Sequence, residues 1–137
     1  MALSAVLEFG DNNINRYSKR FLVTDCRIEF ARPYNDNRPE GAARCKRVEI
    51  SVVASGKEDH TLFEWFASRS VQNGRLVISL LADGKVVDGD THVLAFESGQ
   101  CYSLSEFYDI DLSKRRLLKI GIIADSMTID SVSFNRI

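Results

Sequence analysis

The strongest constraint on the fold is an apolar–polar alternation of period two that recurs along nearly the whole chain. One helical stretch interrupts it. Over residues 20–31, Leu22, Thr24, Cys26, Ile28 and Phe30 alternate with Asp25, Arg27 and Glu29. That pattern predicts a half-buried antiparallel strand, apolar inward and charged outward. Residues 43–54 repeat it, with Val48, Ile50 and Val52 inward and Arg47, Glu49 and Ser51 outward. Residues 115–124 place Leu118, Ile120 and Ile122 on one face. Shorter alternations group Leu3, Ala5, Leu7 and Phe9, then Leu76, Ile78 and Leu80, then His92, Leu94 and Phe96. Turn signals stand between them at residues 10–13, Asn73-Gly74, Asp83-Gly84, Asp88-Gly89-Asp90 and Ser98-Gly99. A phase shift between Ile129 and Val132 predicts a bulge or bend. The sum is about eight strands with short turns.

The exception is residues 59–68, the only convincing helix. Leu62, Trp65 and Phe66 lie three and four apart and share one helical face. Thr61 and Glu64 have capping-box spacing, Asp59 is a competing N-cap, and Arg69 suits the last turn. So short a helix does not hold alone in water and must dock on a sheet or a neighbouring subunit. The expected fold is therefore mainly β. It is a two-sheet antiparallel β-barrel or sandwich with one flanking α-helix, built as a single domain over residues 1–137.

Composition narrows the function. The formal net charge is −1, with basic and acidic residues mixed along the chain. That argues against nucleic-acid or membrane partners, which call for a clustered basic face. The short basic run Arg44, Lys46, Arg47 reads as a solvated or subunit-facing strand edge. Residues 1–8 carry neither a basic region nor a long apolar one, so a signal peptide is not expected and the protein is expected first in the cytosol. Cys26, Cys45 and Cys101 are widely spaced and form no metal or disulfide pattern. His60 is expected exposed at the helix start, and His92 partly buried in phase with Leu94 and Phe96. Asp88 and Asp90 lack the remaining positions of a calcium loop. No catalytic constellation, metal site or cofactor is expected.

Two stretches carry a family resemblance. Leu62-Phe63-Glu64-Trp65 on a lone helix follows a strand ending Val52-Val53-Ala54-Ser55 and precedes Asn73-Gly74-Arg75-Leu76-Val77. Upstream stands Asn37-Arg38-Pro39-Glu40-Gly41-Ala42-Ala43-Arg44. In this order they resemble the Hcp-like (TssD) tube proteins of type VI secretion systems in Bacteroidota. Cys45-Lys46 replaces the family's glycine pair. The resemblance implies six copies in a ring, rings stacked into a hollow tube, and expulsion of that tube by a contractile sheath. Implied partners are other copies, the sheath, the tip and effector cargo, with export needing no signal peptide. The polar loop Tyr34, Asn35, Asp36, Asn37, Arg38, Pro39, Glu40, bracketed by Pro33 and Pro39, is expected to project and dock on the next ring. Part of the helix, with Phe63, Glu64 and Trp65, is expected at or near a subunit boundary, and Trp65 is expected to pack in the core, to anchor an interface, or both. The competing readings are a small β-barrel that holds an apolar ligand, an enzyme with an unrecognised site, and a tube component of another phage-tail-like contractile particle.

Overall fold

In chain order the elements are β1 (Ala2–Asp11), β2 (Arg16–Ala31), β3 (Tyr34–Asn35), β4 (Arg38–Pro39), β5 (Arg44–Val53), α1 (Asp59–Ala67), β6 (Gln72–Ala82), β7 (Lys85–Asp109), β8 (Arg115–Ile123), β9 (Ser126–Ile129) and β10 (Val132–Arg136). The computed structural model describes residues 2–31, 34–35, 38–39, 44–53, 59–82, 85–109, 115–130 and 132–136. Two strands stand out by length. β2 has 16 residues and β7 has 25, because each leaves one sheet and enters another.

β2 pairs with β1 through its first half, with Leu7 opposite Phe21 and Val6 opposite Leu22. Its second half pairs with β5, with Cys26 opposite Ile50 and Ile28 opposite Val48. The register slips between Val23 and Asp25, and the slip exchanges the faces of the strand. Phe21 and Val23 point to the core before it, and Cys26 and Ile28 after it. The uniform inward face expected from Leu22 to Phe30 is therefore wrong. Leu22 is 60% exposed and Phe30 is 48% exposed.

β7 does the same at the other side. It pairs with β6 (Leu76 opposite Leu94) and β9 (Phe96 opposite Met127), then with β8 (Leu104 opposite Ile120). The joint is Ser98-Gly99. Ser98 takes a φ of 54°, and a Cβ on Gly99 would lie 2.7 Å from the Phe96 ring. The expected reversal here is a kink, because both arms of the strand already have partners in different sheets. Asp88-Gly89-Asp90 is likewise not a strand-ending turn. Ser79 pairs with Thr91 and Leu81 with Val86, so the extra residues between are absorbed as a bulge within β7. The C-terminal phase shift is a hairpin rather than a bulge, with Asp130 at φ 47° between β9 and β10.

The result is one continuous eight-stranded sheet folded into two packed layers, closed where β10 pairs in parallel with β5, Asn135 opposite Arg44 and Arg136 opposite Cys45. One layer runs through the first half of β2, then β1, β6, the first half of β7, β9 and β10. The other runs through the second half of β7, then β8, β5 and the second half of β2. Their facing sides make the core, where Leu7, Phe9, Leu76, Val48, Ile50, Val52, Leu118 and Ile120 are at most 2% exposed. The inward residues read from β5 and β8 are the ones observed. Burying each such side chain contributes about 1.5–3 kcal/mol.

α1 closes one end of this core. Leu62 and Trp65 are 0% and 1% exposed, whereas Phe66, directly after Trp65, is 40% exposed. The Trp65 ring meets Phe9 edge-on at 5.0 Å, and Phe9 meets Phe21 at 5.5 Å. Trp65 Nε1 donates to the Gly99 carbonyl at 2.9 Å. The helix ends at Ala67, so Arg69 lies past the last turn, in the left-handed region at φ 56°. Ser68 covers that end, its N–H and hydroxyl both donating to the Glu64 carbonyl.

Replacing Trp65 by Ala is expected to cost about 3–5 kcal/mol, as large-to-small changes in packed cores do. Trp65→Phe retains most of the burial but leaves the Gly99 carbonyl without its donor, for about 1–3 kcal/mol. Urea unfolding followed by circular dichroism measures both.

Candidate functional site

The outer faces of the two sheets differ in chemistry. On the β8–β5 side, cross-strand rows run Arg27–Glu49–Gly121–Ser103 and Asp25–Ser51–Lys119–Ser105. With Glu29 and Arg47, the side chains described on this face include three carboxylates and three cations, which cancel. Arg47 donates through Nε and Nη2 to the two oxygens of Glu29, at 3.2 and 3.4 Å. Arg27 also meets Glu29 at 3.1 Å, and Glu49 lies 3.5 Å from Arg47. The Glu29 carboxylate holds the Arg47 guanidinium above its usual range. Ser51 donates to Asp25 at 3.0 Å. Exposed pairs like these contribute little to stability, so their consequence is a wettable, electrically balanced surface. Tyr102 lies flat on this face because Gly121 leaves room for its ring; a Cβ there would sit 2.5 Å from Tyr102 Cζ.

Both lateral edges of this sheet are open. Among the described residues, β2 beyond Val23 pairs only with β5, and β7 beyond Gly99 pairs only with β8. Their backbone groups on the other side are available to another strand.

The outer face of the other sheet carries an apolar row, Leu22–Val6–Val77–Val93, across β2, β1, β6 and β7. A polar row borders it, in which Arg75 Nε meets Glu8 at 3.1 Å and the guanidinium stacks 4.1 Å above the Tyr17 ring.

At the end of the polar sheet near α1, the chemistry changes again. Val53, Leu117 and Phe107 form one cross-strand row, and Phe107 and Tyr108 are 61% and 57% exposed. Behind them, Glu106 accepts from Arg116 Nη2 and from the Tyr108 hydroxyl, both at 2.7 Å. Arg116 chiefly, and Tyr108 after it, hold the Glu106 carboxyl below the usual carboxylate range. The Arg116 guanidinium stands 5.7 Å over the Phe63 ring.

The residues expected from sequence are spread over these features. Trp65 is buried in the core of its own chain. Phe63 is half-buried and lies behind the Phe107 row through Arg116. Glu64 is exposed, 3.6 Å from His60. Tyr34 and Asn35 pair with Pro39 and Arg38 in a two-stranded sheet of their own. Asp36, Asn37 and Glu40 lie outside the described residues. Phe107 and Tyr108 were not among the expected residues. The available signal was Phe107 in phase with Ser103 and Ser105, an aromatic on an otherwise polar strand face.

His92 is exposed, not partly buried, because its end of β7 lies beyond the packed layer. Its Nδ1 lies 2.6 Å from Asp130 Oδ2, while Asp130 Oδ1 accepts the Val93 N–H at 3.1 Å. Those contacts, His92 first, hold the Asp130 carboxyl below its ordinary range and tie the β9–β10 turn to β7. Among the described residues, no three His, Cys, Asp or Glu side chains are grouped to hold a metal. Among the described residues, no helix is long and apolar enough to cross a membrane.

Burial pushes the Cys45 and Cys101 thiols from 9.0 up to about 11. Above pH 9 the unfolded chain therefore releases protons that the folded chain keeps, so stability falls as pH rises from 9 towards 11. Titration with a thiol reagent at pH 7.5 is expected to leave both nearly unmodified in the native protein. Both become reactive in denaturant.

The chain matches the family model of the hemolysin coregulated protein Hcp (TssD) over residues 1–137. No curated protein matches it. Among solved structures, it is similar to Hcp1 from Flavobacterium johnsoniae, at 17% identity and a TM-score of 0.67. That match covers 98% of this chain and 99% of the other. Hcp1 from the E. coli EAEC 042 pathovar superposes with a TM-score of 0.67 at 10% identity, over 98% of this chain and 99% of that one. A chain of the anti-feeding prophage baseplate gives a TM-score of 0.54 at 13% identity, over 96% and 95%. The structural likenesses show the fold, and the full-length family match shows the kinship: the chain belongs to the Hcp (TssD) family.

Proposed function

We propose that this protein is the tube subunit of a type VI secretion system, assembling into sixfold rings that stack around a channel. The observation that carries the reading is the four-strand polar sheet with two open edges. A sheet with both lateral edges free joins the next copy head to tail. Contacts of that kind close into a ring when the rotation between copies closes. The joined sheets then form a continuous wall, and the charge-balanced polar face suits the wetted side. A wall without net charge does not hold a passing protein by long-range attraction. The apolar row through Val6 and Val77 suits the opposite side, which meets protein.

The role is structural, with no catalytic step. The partners are further copies of the chain, the contractile sheath, the tip and effector proteins carried in the channel. Export takes place through the apparatus. The likeness to the anti-feeding prophage baseplate keeps a second reading, a ring component of another phage-tail-like particle. Genes for sheath and membrane-complex components beside this one distinguish the two.

Negative-stain electron microscopy of concentrated protein, with its native mass, tests the reading. Sixfold rings with a central opening are expected, and a monomer at every concentration contradicts it. Deleting residues 35–38 is expected to spare the rings and impair their stacking. Full-length tubes from that variant contradict the docking role of the loop.

A further inference from the structure

Three residues break the chemistry of the polar sheet. Val53, Leu117 and Phe107 stand side by side across β5, β8 and β7. Their chain neighbours Val52 and Leu118 are both 0% exposed in the core. Strand alternation therefore turns Val53 and Leu117 to the opposite face, the one that carries Lys119. Phe107 follows Ser103 and Ser105 in phase on that face and is 61% exposed. The row lies two residues along from Ser51–Lys119–Ser105, about 7 Å at the usual rise. It is not the rim of the sheet, because the β7–β8 ladder runs on through Tyr108 opposite Arg116 to Asp109 opposite Arg115. The row is thus part of the same wall as the charge-balanced rungs.

An exposed phenylalanine beside aliphatic neighbours on a wettable wall gains by being covered. The face it shares decides what covers it. The core lies behind the row, and the open edges of the sheet lie to its sides. A copy joined at an edge continues the sheet and leaves this face uncovered. We infer that the Val53–Leu117–Phe107 row is the contact point for carried protein, taking apolar side chains exposed on the cargo. This deepens the tube reading and rests on it, with the polar sheet turned to the channel. Each copy in a ring sets its row at the same level, so the rows make an apolar belt that recurs once per ring between polar stretches of wall. The neighbouring rungs, whose charges cancel, exert no pull at a distance, so holding falls to short-range apolar contact. Contact of that kind is not screened by salt, unlike attraction between exposed charges.

The test uses rings of the full-length protein and a fluorescein-labelled peptide that forms an amphipathic helix with leucine and phenylalanine along one face. Fluorescence anisotropy is expected to show binding that added salt does not weaken, and no binding of the same peptide with serines on that face. Phe107→Ser is expected to leave rings and thermal unfolding unchanged, because the side chain is exposed, and to weaken binding about tenfold. Phe107→Leu keeps an apolar side chain and is expected to keep most of the affinity. Leu22→Ser, exposed on the outer face of the other layer, is expected to change nothing. Peptide bound to rings is expected to stay bound when they stack. Its loss on stacking places the row at a contact between rings and overturns the belt. Parent rings that bind the peptide no better than Phe107→Ser rings also overturn it, while leaving the tube reading intact. Absence of rings from the parent protein overturns the tube reading and the belt with it.

Discussion

The architecture depends on one hydrogen bond at one kink. β7 leaves the first sheet and enters the second at Ser98-Gly99, where neighbouring side chains leave no space for a Cβ. The Gly99 carbonyl is buried at this kink, and a buried carbonyl left short of a donor is costly. Trp65 supplies the donor, and its ring fills the end of the core against Phe9 in the same act. The lone helix is therefore the plug that makes the two-sheet arrangement tolerable. It is held by the sheet and in turn completes the core that the sheet leaves open.

From that arrangement the outer surface follows. Because β2 and β7 each serve two sheets, each sheet has strand segments paired on one side only. In a monomer, such edges invite uncontrolled pairing. Here they border a polar face whose charges cancel, and the opposite sheet presents an apolar row instead. One face fitted to water, one fitted to protein and edges fitted to another copy together describe a wall element better than a catalyst or a ligand pocket. Phe9, Phe96, Trp65 and the aliphatic residues of β5 and β8 occupy the core between the sheets.

Much of this was legible in the sequence. The alternation in β5 and β8 identified the buried residues correctly, because those strands lie wholly within one sheet and keep one phase. β2 and β7 misled for the converse reason. A strand that changes sheets must change phase or kink, so Leu22 and Phe30 read as core and Ser98-Gly99 as a reversal. Local propensity cannot report that both arms of a kinked strand find different partners. The helix was recognised by its spacing, but Phe66 shares the apolar side of that pattern and still reaches solvent. Trp65 illustrates the same limit: an apolar face shows that a residue is covered, not whether its own chain or a neighbour covers it. Phe107 was readable only as an anomaly, an aromatic in phase with serines, whose meaning depends on where the strand ends.

The central claim is that the β2–β5–β8–β7 sheet faces the channel and joins its neighbours edge to edge. Electron cryomicroscopy of assembled particles, at a resolution that shows side chains, tests it most directly. Glu49, Lys119 and Tyr102 are expected to line the channel, with β2 beyond Val23 of one copy beside β7 beyond Gly99 of the next. Density that places Val6 and Val77 on the channel wall, with the polar sheet turned outward, contradicts it.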